Sequence, residues 1–389
     1  MRSRNQAATL EELTTAFNEL EDPRSAVNRR HPLVSVVSIS VMGVLAGADG
    51  PTGIRKWAES KQSLLPDILD LPHGIPSRDV FRRVLCALHP EAFQSCFVSW
   101  IEALLGGKKE GEQRHVAIDG KCLKGSRDAR HGLGPLHLVS AWASEQGLTL
   151  AQVPTEEKSN EITAIPELLR LIDLDGAVIT IDAMGTQTAI AEQIVNGKGN
   201  YVLSLKKNQG LLYQAALEFV AEHVENDFAD VAHERLVDQP KKPRHGRQET
   251  RTYIQFEVPN AFLGSQRWKG LKTIGLCVYE WSDGQKHSLE THYYLSSLPL
   301  HVGQFAKSVR SHWGIENTCH WSLDVTYRED QLRSRQRQGT ENMAWLRRFT
   351  LSLLKQHPAK SSLAMKRRSC GWNWDFLLEV IGFKTLSVR

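Results

Sequence analysis

Cysteine is sparse and unpatterned in this chain. The six cysteines, Cys86, Cys96, Cys122, Cys277, Cys319 and Cys370, show no CxxC spacing, which argues against a thiolate zinc cage. With no secretory signal ahead of them, they are expected to be reduced thiols of a cytoplasmic protein. Long apolar runs are missing too. The one long uncharged stretch, from His31 to Ala48, includes a proline, three serines and two glycines. It falls short of the roughly 20 strongly apolar residues of a membrane span and predicts a buried helix instead. No internal repeat or low-complexity segment occurs. The charge imbalance is small, +4 from 48 Lys+Arg against 44 Asp+Glu, so the total does not argue for a polyanionic partner and placement must decide.

What is present is an ordinary globular composition, 41% hydrophobic and 24% charged, which excludes disordered and fibrous classes. A chain of 389 residues exceeds one ordinary core, so two or three folding units are expected. Residues 1–110 read as a helical domain. Leu10 to Leu20 has helical spacing and stops at Asp22-Pro23, Pro32 opens the next helix, and Ser77 is a plausible cap for an apolar stripe through Val80, Val84 and Leu88. The charged, glycine-rich run 106–112 reads as a linker. Residues 111–209 then predict strands at 115–119, 136–143 and 148–153, a helix at 160–172, a strand at 177–182, a helix at 186–196 and a strand at 201–205. That order gives an α/β fold, a mixed sheet flanked by helices. Residues 210–300 form a β-rich insertion: a helix, a basic loop at 241–247, then strands at 250–257, 271–281 and 287–296. Helical spacing resumes at Val302 in a segment assigned to 301–350, and 351–389 is a basic C-terminal segment.

Three acids stand out. Asp119 ends the run His115-Val116-Ala117-Ile118, Asp182 ends Ala177-Val178-Ile179-Thr180-Ile181, and Glu316 lies in Ser311-His312-Trp313-Gly314-Ile315-Glu316. Each has a plainer reading. Asp119-Gly120 suits a hairpin turn, although the basic run Lys121 to Arg127 fits a phosphate-binding loop better than a returning strand, with Lys121 and Lys124 as its cations. Asp182 could be a cap or turn residue, yet the carboxyl end of a sheet strand is also where α/β sheets place ligands. His312, Glu316, His320 and Asp324 recur every four residues, which describes either a solvated stripe or a functional one. Trp313, Ile315, Trp321 and Leu323 are expected to pack this helix down. A zinc site from His312, Glu316 and His320 is a further alternative, though it lacks the HExxH spacing. Three carboxylates are about the minimum that could hold two hard cations for in-line phosphoryl chemistry.

The strings Val116-Ala117-Ile118-Asp119-Gly120-Lys121, Ile179 to Gln187, Tyr201 to Gln209 and Val309 to Asn317, with His320-Trp321-Ser322-Leu323-Asp324-Val325 after it, resemble the H-repeat-associated insertion-sequence transposases of bacteria. The resemblance covers nearly the whole chain. It implies a ribonuclease H-like core with a DDE triad, here Asp119, Asp182 and Glu316, holding two Mg²⁺ or Mn²⁺ ions. It also implies double-stranded DNA partners (terminal inverted repeats and a target) and a homodimer on paired ends, with no membrane role. The wider relatives carry Tyr and Arg before the catalytic Glu and Lys after it, where this chain has Val309, His312 and Leu323. Arg310 and His312 are therefore the expected phosphate contacts.

Charge placement agrees with such a partner. From Arg328 to Arg389, 13 Lys+Arg stand against 5 Asp+Glu, with Arg333, Arg335, Arg337, Arg347 and Arg348 clustered just after the Glu316 helix. A stretch of this kind neutralises phosphates, unless it is only a solvated tail. Lys206, Lys207 and Asn208 at the end of the last core strand are further candidates for backbone contacts. The reading is a DNA transposase; the alternatives are a metal-dependent nuclease without strand transfer and an inactive DNA-binding remnant.

Overall fold

The uncharged stretch after His31 folds as helix α1 (Leu33–Leu45), in which every residue but Val34 is buried. In the computed structural model, which describes residues 17, 20–105, 113–155, 161–240, 247–258, 262 and 264–382, α1 is followed by α2 (Pro51–Ser60), α3 (Arg78–Ala87) and α4 (Pro90–Leu105). Pro51 occupies the first turn of α2, where its missing N–H costs nothing. Ser77 caps α3 by accepting the Val80 N–H at 3.4 Å. The linker at 106–112, residues 241–246 of the basic loop, and all of Leu10 to Leu20 except Phe17 and Leu20 lie outside the described residues.

The apolar runs that follow become one sheet. Its strands are β1 (His115–Leu123), β2 (Leu136–Ala143), β3 (Leu148–Thr155), β4 (Val178–Ile181), β5 (Asn200–Leu205), β6 (His233–Asp238), β7 (Gln248–Glu257), β8 (Thr273–Ser282) and β9 (His287–Ser296). Their spatial order is β3-β2-β1-β4-β5-β9-β8-β7-β6. The first three pair antiparallel, while β1, β4 and β5 pair parallel. Parallel neighbours need a crossover; helices α5 (Glu161–Arg170) and α6 (Thr188–Asn196) precede β4 and β5 and supply it. All four residues of β4 are buried, as suits a central strand covered on both faces. This is the mixed, helix-flanked, ribonuclease H-like arrangement that the resemblance implied.

Three points correct or extend the expectations. First, β1 does not stop at Asp119. It continues through Leu123, with Asp119 opposite Ser140 and Lys121 opposite Leu138, so neither a hairpin turn nor a basic loop begins at Gly120. Second, the β-rich insertion at 210–300 is joined to the core sheet, a pairing its strand patterns do not announce. After α7 (Gly210–Val224) its strands extend the core sheet, because β9 pairs with β5 (Val202↔Ser296, Leu203↔Leu295). Its first strand, β6, escaped the sequence reading because His-Glu-Arg-Leu-Val-Asp carries no alternating apolar signal and lies at the sheet edge, largely exposed. Third, the C-terminal segment is not a free basic tail. After α8 (Val302–Gly314), a π-helical turn (Ile315–His320) and α9 (Trp321–Val325) come α10 (Arg337–Gln356), α11 (Leu363–Trp372) and α12 (Trp374–Val380).

Helix α10 joins the helical unit to the sheet. It packs against α1, α3 and α4 and against β3, and the Phe349 ring lies 4.0 Å from that of Phe97 and 5.0 Å from that of Trp100. One continuous apolar core therefore runs from Phe17 to Ile381. Several of the cations counted as a DNA surface are internal braces. Arg347 donates to the Asp49 carbonyl at 2.7 Å, Arg348 to Glu329 Oε1 at 2.9 Å, and Arg367 to the Thr326 carbonyl at 2.7 Å. Lys366 donates to the Leu354 carbonyl at 3.0 Å and the His357 carbonyl at 2.6 Å. Sequence spacing cannot separate these from surface cations, because most of their partners lie well away along the chain.

Candidate active site

The register of β1 and β4 sets the site. Pairing between them ends at Ile118↔Ile181, and Asp119 and Asp182 are the next residue on each strand. Neighbouring strands lie about 4.8 Å apart, so the two acids stand side by side just where ladder hydrogen bonds stop. Side chains alternate faces along a strand, which puts His115, Ala117, Asp119 and Lys121 of β1 on one face.

The helix carrying Glu316 crosses that face, and its contacts trace the path. Ser308 Oγ lies 3.3 Å from His115 Nδ1, His312 Nδ1 lies 3.1 Å from Thr180 Oγ1, and His320 Nδ1 stands 3.4 Å from Asp119 Oδ2. Farther on, Asp324 Oδ1 accepts Lys121 Nζ at 2.6 Å. Glu316 falls between His312 and His320, in the π-helical turn Ile315–His320; such turns widen a helix and are frequent at functional sites. Gly275 on β8 lets the helix sit close. A Cβ there would fall 2.1 Å from the Phe305 ring, which presses onto the strand.

The neighbouring acids act on Asp119 electrostatically. Burial, then the negative charges of Glu161, Glu316 and Asp182, lift Asp119 to about 7, against the lowering effect of the Gly120 N–H that it accepts at 2.8 Å. His320 is driven the other way, down to about 3, by burial and by the cations Arg348 and Lys121, so it is neutral beside Asp119 at neutral pH. Burial also lowers His312, against the opposing pull of Asp182.

The donor chemistry of this end of the sheet fits a hard divalent cation. The donors are carboxylate oxygens, and they crowd negative charge that no cation among the described residues neutralises at Asp119. Among the described residues, no three His, Cys, Asp or Glu side chains converge tightly enough to cage an ion as they stand. That includes the zinc set His312, Glu316 and His320.

The other candidate residues divide into free and engaged groups. Lys206 and Lys207 are exposed and line a cleft of about 790 Å³ with Asp182, Met184 and Ile162. Asn208 is engaged: its amide donates to the Ala183 carbonyl at 2.5 Å, and Gln209 donates to the Thr186 carbonyl at 2.7 Å. Both side chains therefore brace the turn that follows Asp182. Lys121 is buried in its pair with Asp324, and Lys124, though exposed, pairs with Asp330 at 3.0 Å. Arg310 is exposed and lines a second cleft, of about 440 Å³, with Arg251, Tyr279, Trp313 and Asn317. Arg333 and Arg335 are exposed. Ile315 and Leu323 pack the helix down as expected, but Trp313 and Trp321 are 45% and 57% exposed, Trp313 at the rim of the second cleft.

One participant was missed. Glu161, in the first turn of α5, has its Oε1 2.7 Å from His137 Nε2 and contributes most among the charges acting on Asp119. In sequence it looks like an ordinary helix-start acid, and nothing local marks it.

Asp119, just past the last β1–β4 pairing, and Asp182, just past the end of β4, lie on adjacent parallel strands that the helix carrying Glu316 crosses. Residues 110–354 match the Transposase DDE domain family, and residues 14–101 match the DDE_Tnp_1-associated family. The chain belongs to the DDE transposase family and is an insertion-sequence transposase. It is 32% identical to the "H repeat-associated putative transposase YhhI" of Escherichia coli K12, over 97% of this chain and 100% of that one. It is 34% identical to the "Putative transposase YncI" of Escherichia coli O157:H7, over 97% of each chain. Among solved structures, a piggyBac transposase synaptic complex with hairpin DNA is similar at 12% identity and a TM-score of 0.41, covering 97% of this chain and 78% of that one. A DDE domain implies dependence on divalent metal. No helix among the described residues is long and apolar enough to cross a membrane.

Proposed function

We propose that this transposase cuts double-stranded DNA at the terminal inverted repeats of its own element and joins the freed ends to a target, acting as a homodimer on paired ends. Asp119, Asp182 and Glu316 would hold two Mg²⁺ or Mn²⁺ ions. When bound, such ions stabilise the charge that builds on the entering and leaving oxygens of a phosphodiester. Water is the nucleophile of the cut, and the 3′-hydroxyl it frees is the nucleophile of the joining step. Lys206 and Lys207, exposed beside Asp182, hold backbone phosphates at the cleft, and Arg310 does so from the second cleft. His312, bonded to Thr180, fixes the crossing of the Glu316 helix over β4. Asn208 acts one step back, by holding the Asp182 turn. Lys124, Arg333 and Arg335 extend the basic surface beyond the cleft; Lys121 serves the fold through Asp324 and reaches DNA least of the set. The single observation that supports this reading most is the register that ends at Ile118↔Ile181, which leaves both aspartates facing the Glu316 helix.

The test is cleavage of element-end DNA by the full chain with Mg²⁺ or Mn²⁺. Asp182→Ala is expected to lose at least about three orders of magnitude in rate, the scale of removing a group that stabilises charge in the transition state. Retained cleavage by Asp182→Ala overturns the site. Cleavage without joining of pre-cut ends reduces the enzyme to a nuclease, and binding with no cleavage by the wild-type chain reduces it to a remnant.

A further inference from the structure

Gly120 separates two side chains that the fold brings to one point from opposite faces of the sheet. Asp119 lies under the Glu316 helix. The neighbouring residue, Gly120, faces the other side, where α5 covers the sheet. A Cβ at Gly120 would stand 1.8 Å from Glu161 Oε1 and 2.5 Å from His137 Nε2. The carboxylate of Glu161 thus occupies the volume that any other residue at 120 would fill, pressed against the backbone that carries Asp119. It is held there by His137, from β2, at 2.7 Å, with Glu161 16% exposed and His137 33% exposed. Beyond Ile118↔Ile181 no β1–β4 ladder hydrogen bonds seal the sheet. Ile162, the next residue of α5, borders the same cleft as Asp182.

We infer that Glu161 is a fourth carboxylate of the catalytic centre, holding divalent cation on the Asp119 side, and that His137 is its positioning residue. This rests on the proposed metal-dependent function of the Asp119, Asp182 and Glu316 site. Two points support it. Glu161 is a charge aimed at the sheet backbone, not at solvent, against the residue next to Asp119. Its helix supplies no cation to it, and the partner it has, His137, leaves its second oxygen without a described bond. A purely structural role, an acid in the first turn of α5 bonded to a histidine, would require no such closeness to Asp119.

The experiment is calorimetric titration of the metal-free, DNA-free full chain with Mn²⁺, alongside thermal melting without metal. Glu161→Gln keeps the size and a hydrogen-bonding oxygen for His137 while removing the charge. It is expected to weaken Mn²⁺ binding by at least about ten-fold, the scale on which loss of a supporting group lowers metal affinity, while the metal-free melting temperature stays within a few degrees of the parent. His137→Gln keeps the Glu161 charge but removes the ring that holds it, and is expected to weaken Mn²⁺ binding several-fold less than that; it also carries the test should Glu161→Gln fail to fold. Asp182→Asn is the reference. If it loses Mn²⁺ binding while both Glu161→Gln and His137→Gln bind like the parent, Glu161 is only a helix-start acid and this inference falls alone. If Asp182→Asn also binds like the parent, the metal site itself falls.

Discussion

Two of the places where this molecule encloses charge are opposites. Under α10, Arg348 meets Glu329 at 2.9 Å with both side chains fully enclosed, so opposite charges are paired within the chain. Midway along β1, Asp119 has the charges of Glu161, Glu316 and Asp182 around it, and it is pushed up to about 7. The first arrangement sets plus against minus inside the fold. The second carries a surplus that folding alone does not resolve, and such surpluses mark places where a chain expects something from outside.

The contrast can be broken at either end. The largest effect is expected from Arg348→Ala, which strands Glu329 as an unpaired buried charge. Loss of about 3–5 kcal/mol of stability is the scale for breaking such a pair, read by urea or thermal unfolding of the metal-free protein; a loss below about 1 kcal/mol would show the pair to be dispensable. Asp119→Asn should act in the opposite direction. The folded-state value for Asp119, about 7, lies well above the 3.8 of an ordinary aspartate. The folded chain therefore holds this proton more tightly, so the stabilisation is full below about pH 4 and is lost as pH rises through 7. At pH 8 without metal, Asp119→Asn is expected to be more stable than the parent by about 1–3 kcal/mol, read by urea unfolding, with the advantage vanishing near pH 4. A variant less stable at pH 8 would mean the carboxylate is not crowded. The smallest effect is expected at the exposed cations. Arg333→Ala with Arg335→Ala should leave folding unchanged and lower the salt slope of DNA binding by up to about 2, whereas an unchanged slope would place DNA elsewhere.

How far the sequence reveals all this depends on how local each signal is. The position of Asp182 just past a strand end was legible because it closes an apolar run of a few adjacent residues; the continuation of β1 past Asp119 was not, because it depends on pairing with β2. Glu316 was legible because polar groups recur every four residues on a helix that otherwise packs. The succession of strands and helices from β1 to β5 followed from the alternation of their patterns, whereas the spatial order β3-β2-β1-β4-β5 did not. What stayed hidden was set at long range. Lys121 looked like a loop cation because its partner, Asp324, lies 203 residues away. Arg347 and Arg348 looked like phosphate ligands because nothing near them in sequence announces Asp49, and Glu329 is separated from Arg348 by the bend into α10. Trp313 and Trp321 looked like packing residues because tryptophan usually is, but Ile315 and Leu323 fill the core beneath this segment and leave both indoles largely exposed. Glu161 looked like any helix-start acid; only the folded backbone at Gly120 shows what it faces.

The pairing of β9 with β5 ties the outer strands to the acids through an unbroken backbone lattice. A load on the outer strands therefore passes to β4, whose last residue precedes Asp182, through paired backbone from strand to strand.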